Sequence, residues 1–309
     1  MMVSTFKHEL CKLVLDHTIR CTGCEKVYVF SDIDFYPGSI FFKIDRLKNR
    51  EDYSRFILKE LGKHVVGNHF MIVQYDGMPA CSSRWNNEFL YYDYIGACFE
   101  CGACMFNTGY HSDRCIKGHN VGNGGFSIRS RLLLDVCLSD DVVFDPQQPE
   151  DTRICICYHD LFTSLGVRYA PAKLARTFST EILGLAVQNG ALSWNYDLFD
   201  RECNQYPTYG FHGTLGIPFF TSDEYLHTYI SLLTKDEINV QVYDQFYGFT
   251  TSFPRIESGL LVGLYRASRY EHLEQYIDKI LKYDIDPLWA NEVLDINLRK
   301  FIISRYGIL

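Results

Sequence analysis

His69-Phe70-Met71-Ile72-Val73-Gln74-Tyr75-Asp76-Gly77 is a hydrophobic run that ends in a carboxylate and a glycine. The pattern predicts a buried strand closed by a tight turn. In open α/β sheets ligands collect at the carboxyl ends of strands, which is where Asp76 falls. Upstream, Met1 to Thr5 reads as the end of a short strand. Lys7 to Arg20 carries Leu10, Leu13, Val14 and His17 at helical spacing, and Val27 to Phe30 reads as another buried strand. Arg50 to Leu61 is a second amphipathic helix with Tyr53, Phe56, Ile57 and Leu61 on one side, ended by Gly62. Helices alternating with short apolar strands predict an α/β fold.

Downstream, Tyr91 to Gly96 reads as a strand, and 99–120 as a long loop bearing Cys, His and Gly. The loop delivers the chain to Val121-Gly122-Asn123-Gly124-Gly125-Phe126-Ser127-Ile128-Arg129-Ser130-Arg131. Three glycines in four positions let a backbone approach a ligand closely, and Leu132 to Val136 reads as a buried helix leaving that turn. The expectation is therefore a hinge between strand and helix with exposed amides. Glu150 and Asp151 open a helix that contains Ile154, Ile156, Leu161 and Phe162, and Gly166 to Pro171 reads as a short strand. Tyr209-Gly210-Phe211-His212-Gly213 frames one histidine with aromatics and glycines, and from about Thr221 the pattern turns helical, with Ser222-Asp223-Glu224 as a cap.

With 309 residues, 47% of them hydrophobic, the chain can bury a large core, to which 22 Tyr and 22 Phe contribute bulk. A net charge of −8 argues against a nucleic-acid partner, which a phosphate backbone would bind through basic surface. Charged residues interrupt every apolar run in Met1 to Thr18, and no apolar stretch is long enough to span a bilayer as a helix. The expected location is cytoplasmic. The 12 cysteines all lie between Cys11 and Cys203, and in that setting free thiols or a metal site are expected over disulfides. Cys98, Cys101, Cys104 and Cys115, with His111, have spacings that zinc can use, although the second close cysteine pair of a zinc ribbon is missing.

Several segments together resemble a family of glycosyltransferase-like proteins, itself known only as a domain of unknown function and related to the metal-dependent GT-A fold. They are Tyr53 to Leu58, Ile72 to Gly77 (the Gln-x-Asp-Gly motif), Trp85 to Glu88, Tyr92-Asp93-Tyr94-Ile95-Gly96-Ala97 and Val121 to Arg131. Pro149 to Asp151, Tyr169 to Pro171, Phe178 to Glu181 and Gly210-Phe211-His212-Gly213 continue the match in the same order. The resemblance covers roughly 1–218 and implies a GT-A-like mixed sheet flanked by helices, a Rossmann-like core for a nucleotide sugar. It leaves 219–309 as an α-helical C-terminal extension. Two departures stand out: Trp85-Asn86-Asn87-Glu88 replaces the family's Trp-Asp-Asp-Glu, and Cys98-Phe99 replaces its Pro-Trp.

The implied activity is transfer of a sugar from a nucleotide-sugar donor, expected to be UDP-linked, to an acceptor hydroxyl. Asp76 matches the last acid of the fold's Asp-x-Asp motif, with Gln74 in place of the first. One carboxylate, the His212 imidazole and two diphosphate oxygens suit Mn²⁺ better than Mg²⁺. Glu150 and Asp151 resemble the acidic pair that supplies the base in inverting fringe-like enzymes, with Asp151 the favoured base. Gln74, Tyr75, Asp76, Asn123, Gly124 and Gly125 are then donor-binding candidates, and Trp85, Tyr94 and Phe126 acceptor-binding ones. Plainer roles exist for each: a turn former for Asp76, a core histidine for His212, first-turn acids for Glu150 and Asp151, core packing for the aromatics. The incomplete Asp-x-Asp motivates a second reading, a non-catalytic sugar- or protein-binding scaffold, and the shared metal-diphosphate chemistry a third, a sugar nucleotidyltransferase.

Overall fold

The computed structural model describes residues 1–98, 121–181, 185–188, 191–194, 208–213, 216–236, 265, 270, 271, 273, 274, 277, 278 and 296–306. The chain separates into two compact units, Met1–Gly216 and Ile217–Leu309, and the fold is mixed α/β. In the first unit β1 (Met2–Val3), β2 (Tyr28–Ser31) and β3 (Ile40–Lys43) run parallel in the order β1-β2-β3. Beyond β1, a parallel bridge Met2↔Val73 joins this sheet to β4 (His69–Ile72), and Val73 N donates to Met1 O at 3.0 Å. The ribbon continues through β7 (Ser127–Ser130) to β6 (Tyr94–Gly96), with β7 antiparallel to both neighbours.

Local chemistry accounts for the helices that cover these strands. In α1 (His8–Thr22), Leu10, Cys11, Val14, Leu15 and Thr18 are buried, and Gly23 ends the helix at φ 63 with its N–H on Ile19 O. Asn49 caps α2 (Arg50–Lys59), accepting from Asp52 N at 2.9 Å, with Glu51 and Asp52 in the first turn and Lys59 in the last. Gly62 does not stop the chain after α2. It lies inside a 3₁₀ turn, Leu61–Lys63, where its lack of a Cβ admits Leu134 of α3 (Arg131–Cys137).

All four residues of β2 are buried, whereas β3 is an edge with Ile40 and Lys43 exposed. Phe30 of β2 stacks on Phe42 at 5.0 Å between ring centroids and meets Phe56 of α2 at 5.3 Å. A second small sheet has the order β5 (Gly77–Pro79), β11 (Gly210–His212) and β8 (Ser179–Glu181). Phe126 and Phe178 stack at 4.9 Å beside it, and a Cβ on Gly210 would strike the Phe126 ring and Met78 O, so that strand passes only as glycine. The strands β9 (Leu185–Gln188) and β10 (Ala191–Trp194) pair as an antiparallel ribbon.

Some expected elements take another form. Residues 91–96 give only the short β6, preceded by a 3₁₀ turn at Asn87–Tyr91, and Gly166 to Pro171 makes a single bridge, Tyr94↔Tyr169, in place of a strand. Strand β7 separates the glycine turn from α3, so the turn is not a strand-to-helix hinge. In the second unit the described elements are helices, chiefly Ile217–Phe220, Asp223–Asp236 and Ile296–Tyr306, and Ser222 Oγ accepts from Tyr225 N at 3.3 Å. Among the described residues no helix is long and apolar enough to cross a membrane.

Phe30 is fully buried between two rings. Phe30→Ala is expected to lower the unfolding free energy by about 3–5 kcal/mol in urea titrations, the usual cost of emptying an aromatic site.

Candidate active site at the glycine turn

Strand order reverses at the boundary between β1 and β4, since β2 and β3 build outward from one side of β1 and β4 lies on the other. In parallel α/β sheets the crevice at such a switch point is where ligands bind. A cavity of about 490 Å³ opens there, lined by Ser4 and Phe6 after β1 and by Gln74 and Tyr75 after β4. Arg46, Lys48 and Arg50, all exposed, form a basic rim in a chain of net charge −8, and Tyr53 of α2 stands beside them. Lys7 adopts a left-handed φ of 52, a costly conformation for a side-chain-bearing residue, and its ammonium lies 4.3 Å from the Tyr75 ring centroid. The charge of Asp76, then burial, pushes the Tyr75 phenol up, which keeps it neutral.

Tyr75 and Asp76 form the tip of a tight turn in which Gln74 and Gly77 exchange backbone hydrogen bonds of 3.1 and 3.2 Å. Pairing of β5 with β11 sets His212 opposite Gly77, and Gly213 N donates to Asp76 O at 2.8 Å. The register therefore brings Asp76 Oδ1 to 3.7 Å from His212 Nε2. Gln74 donates its amide N–H to Tyr53 Oη at 2.8 Å, which leaves the amide oxygen facing His212 Nε2 at 3.3 Å. Gly125 lies against all of this: a Cβ there would collide with the His212 ring and meet Gln74 Oε1 at 2.7 Å.

The other half of the turn touches the acid pair. A Cβ on Gly124 would meet Glu150 Oε1 at 2.6 Å, Arg129 Nη2 at 2.8 Å and Asp151 Cβ at 3.1 Å. The turn amides are engaged rather than exposed: Gly124 N donates to Asp151 Oδ2 and Gly125 N to Asn123 Oδ1, each at 3.1 Å. Residues 121–130 are buried throughout, because β7 is inserted between β4 and β6. Arg129 of β7 has no exposure, and its Nη2 reaches Glu150 Oε1 at 3.4 Å. Ser54 Oγ donates to the second Glu150 oxygen at 3.3 Å. Burial, then the charge of Glu150, pushes the Asp151 carboxyl up to about 7, against the pull of Thr152 N, Gly124 N and Arg129. The pair leads into a π-helical turn, Arg153–Cys157, a rare form that often marks functional sites.

The structure thus brings together Gln74, Asp76, Asn123, Gly124, Gly125, Glu150, Asp151 and His212, with Tyr75 at the adjoining cavity. The aromatic candidates fall elsewhere. Tyr94 and Phe126 are enclosed, at 0% exposure, so neither offers a face to an acceptor. Tyr94 instead braces the turn through its hydroxyl, which donates to Gly122 O at 2.8 Å. Trp85 packs on Phe89 and Tyr209 and lines a separate cavity of about 690 Å³, at the edge where β1, β2 and β4 begin.

Cys98 is buried and its thiol donates to Ala172 O at 3.6 Å, while Cys101, Cys104, Cys115 and His111 lie outside the described residues. Among the described residues no three His, Cys, Asp or Glu side chains cluster as metal ligands would. Asp76 and His212 make a pair, and Asp76 Oδ1 is buried without a hydrogen-bond partner among the described residues, which fits one cation completed by ligand oxygens.

Arg129, Tyr53, Ser54 and the basic rim were not singled out by the sequence. An arginine between Ile128 and Ser130 in a strand that must be buried on both faces was the available signal, as were three cations at alternate positions in an acidic chain.

Because the folded Asp151 value lies above the ordinary 3.8, its stabilising contribution is complete only below about pH 4 and is lost as pH rises through about 7. Asp151→Asn, which cannot ionise, is expected to gain stability relative to wild type across that interval in urea titrations. A difference independent of pH would contradict the assignment. Gly125→Ala is expected to cost about 1–3 kcal/mol in the same assay, since the added methyl must displace the imidazole of His212.

No curated protein and no solved structure matches the chain. Residues 38–193, just over half of the 309, match the family model described as "Protein of unknown function (DUF5672)". That segment carries the strand-ending aspartate, the glycine turn and the acid pair, and the chain belongs to this family.

Proposed function

We propose that the chain is a nucleotide-sugar-dependent glycosyltransferase with a GT-A-like core, moving a sugar from a UDP-linked donor to an acceptor hydroxyl with inversion. The observation that carries this reading is the convergence of Asp76, His212, Glu150 and Asp151 on Gly124 and Gly125, next to a basic-rimmed crevice at the switch point. A mixed sheet flanked by helices also supports it. The cavity of about 490 Å³ falls within the usual range for small-ligand sites. Arg46, Lys48 and Arg50 supply the charge that a diphosphate needs.

Asp76 and His212 would hold Mn²⁺, which when bound neutralises the departing diphosphate. The Nε2 atom of His212 that faces Asp76 also faces Gln74, so metal uptake would exchange one hydrogen bond for coordination. Gly124 and Gly125 let the backbone pack directly against these groups, next to the crevice where Gln74 and Tyr75 would meet the donor. The acceptor hydroxyl gives its proton to the Asp151 carboxylate as its oxygen bonds to the anomeric carbon, and the bond to the diphosphate breaks with the electron pair leaving on phosphate oxygen. A carboxyl raised to about 7 is a far stronger base than an ordinary aspartate and remains partly ionised at neutral pH. The alternative, a scaffold that binds without turnover, draws on Gln74 and on Asn86 and Asn87, where the family pattern has acids.

A panel of UDP- and GDP-sugars with Mn²⁺, read by thermal shift and by slow donor hydrolysis, separates the two. At least one UDP-sugar is expected to stabilise the fold and be hydrolysed; binding without hydrolysis or transfer supports the scaffold, and no binding at all defeats both readings. Asp151→Asn is expected to lower transfer by about 10²- to 10⁴-fold while sparing donor affinity. Asp76→Asn is expected to weaken both.

A further inference from the structure

A single buried cation faces two carboxylates at the glycine turn and contacts only one of them. Arg129 Nε donates to Ser127 Oγ at 3.3 Å, and Nη2 reaches Gly124 O and Glu150 Oε1, each at 3.4 Å. Nη1 has no hydrogen-bond partner among the described residues. Glu150 completes its set with the Ser54 hydroxyl, whereas Asp151 receives backbone amides, Gly124 N at 3.1 Å and Thr152 N at 2.6 Å. Gly124 makes the arrangement possible, since a side chain there would occupy the space between the guanidinium and Glu150.

We propose that Arg129 is a positioning residue that divides the labour of the acid pair: by pairing with Glu150 it leaves Asp151 as the carboxyl that takes up and returns a proton at the glycine turn. The proposal rests on Asp151 being the base of the transfer reaction inferred above.

The groups facing Asp151 are Glu150 beside it, Arg129 on β7, Tyr53 on α2, Tyr94 on β6 and Cys155 in the π-helical turn. Burial pushes both phenols and the thiol up, so none of the three ionises in the neutral range. Among the groups facing Asp151 this leaves the acid pair, of which the guanidinium contacts only Glu150. Burial and the charge of Glu150 then act together on Asp151 and bring it to about 7. A like charge on an adjacent carboxyl raises one member of such a pair, and a cation placed on one side selects which.

The test is infrared titration of the protonated-carboxyl stretch on the full chain between about pH 4 and about pH 9, which needs no substrate. Wild type is expected to lose one such band near neutrality, and Asp151→Asn to lack it. Glu150→Gln should keep the band with its midpoint lowered by about one pH unit or more, because the repelling charge is gone. In Arg129→Met the pair shares its proton, so adding Asp151→Asn no longer removes the band. An Arg129→Met protein that retains the wild-type midpoint, and still loses the band with Asp151→Asn, overturns the proposal. Should Arg129→Met fail to fold, Glu150→Gln decides: an unchanged midpoint overturns the proposal and a lowered one supports it. If the bands behave as expected while no donor is ever turned over, the proton assignment stands and the transferase reading falls.

Discussion

A guanidinium with no access to water governs the architecture around the glycine turn. Arg129 projects from a strand that is buried from end to end, and a charge there is tolerated only if partners replace its hydration. Those partners come from separate segments: Ser127 on its own strand, Gly124 in the turn, Glu150 at the acid pair, and the Tyr94 ring, whose centroid is 5.4 Å from the guanidinium carbon. Ser54 extends the set to α2 through Glu150. Satisfying one cation thus ties together the loop, a helix and a strand that sequence separates by up to 96 positions.

The remaining chemistry is delivered by register. Opposing His212 to Gly77 in the β5–β11 ladder puts an imidazole beside the aspartate of the neighbouring turn, and a slip of one residue would send that ring to the other face. Glycine at 77, 124 and 125 removes the side chains that would otherwise fill the meeting point, since a Cβ at any of them would press on His212, Gln74, Glu150 or the facing backbone. Close approach is the shared requirement; none of the three is among the glycines with positive φ.

Local patterns carried much of the fold. The first two helices, the strand ending before Asp76 and the helix Asp223–Asp236 follow from periodicity and capping that need no tertiary partner. The edge strand Ile40–Lys43 was missed because it is short and follows Pro37-Gly38, and its strand character comes from pairing with β2. The glycine turn was located, but its burial was not legible, since that depends on β7 lying between two other strands. Site chemistry divided along the same line. Carboxylates and the histidine stand out by type and position, whereas Arg129, Tyr53 and Ser54 acquire their roles only through contacts across the fold. Tyr94 and Phe126 were misplaced for the converse reason, as an aromatic beside a motif looks the same whether it lines a pocket or fills a core.

The two halves of the main ribbon meet at Met2 and Val73, where pairing narrows to one bridge, flanked by hydrogen bonds from Val73 N to Met1 O and from the Met1 ammonium to Met71 O. Every other junction in the ribbon is a ladder of two or more paired residues. The crevice between Ser4 and Gln74 therefore overlies the most loosely stitched seam in the sheet. A molecule seated there would act as a clasp across that seam, spending part of its affinity on stiffening the sheet itself and coupling occupancy to the cohesion of the first unit.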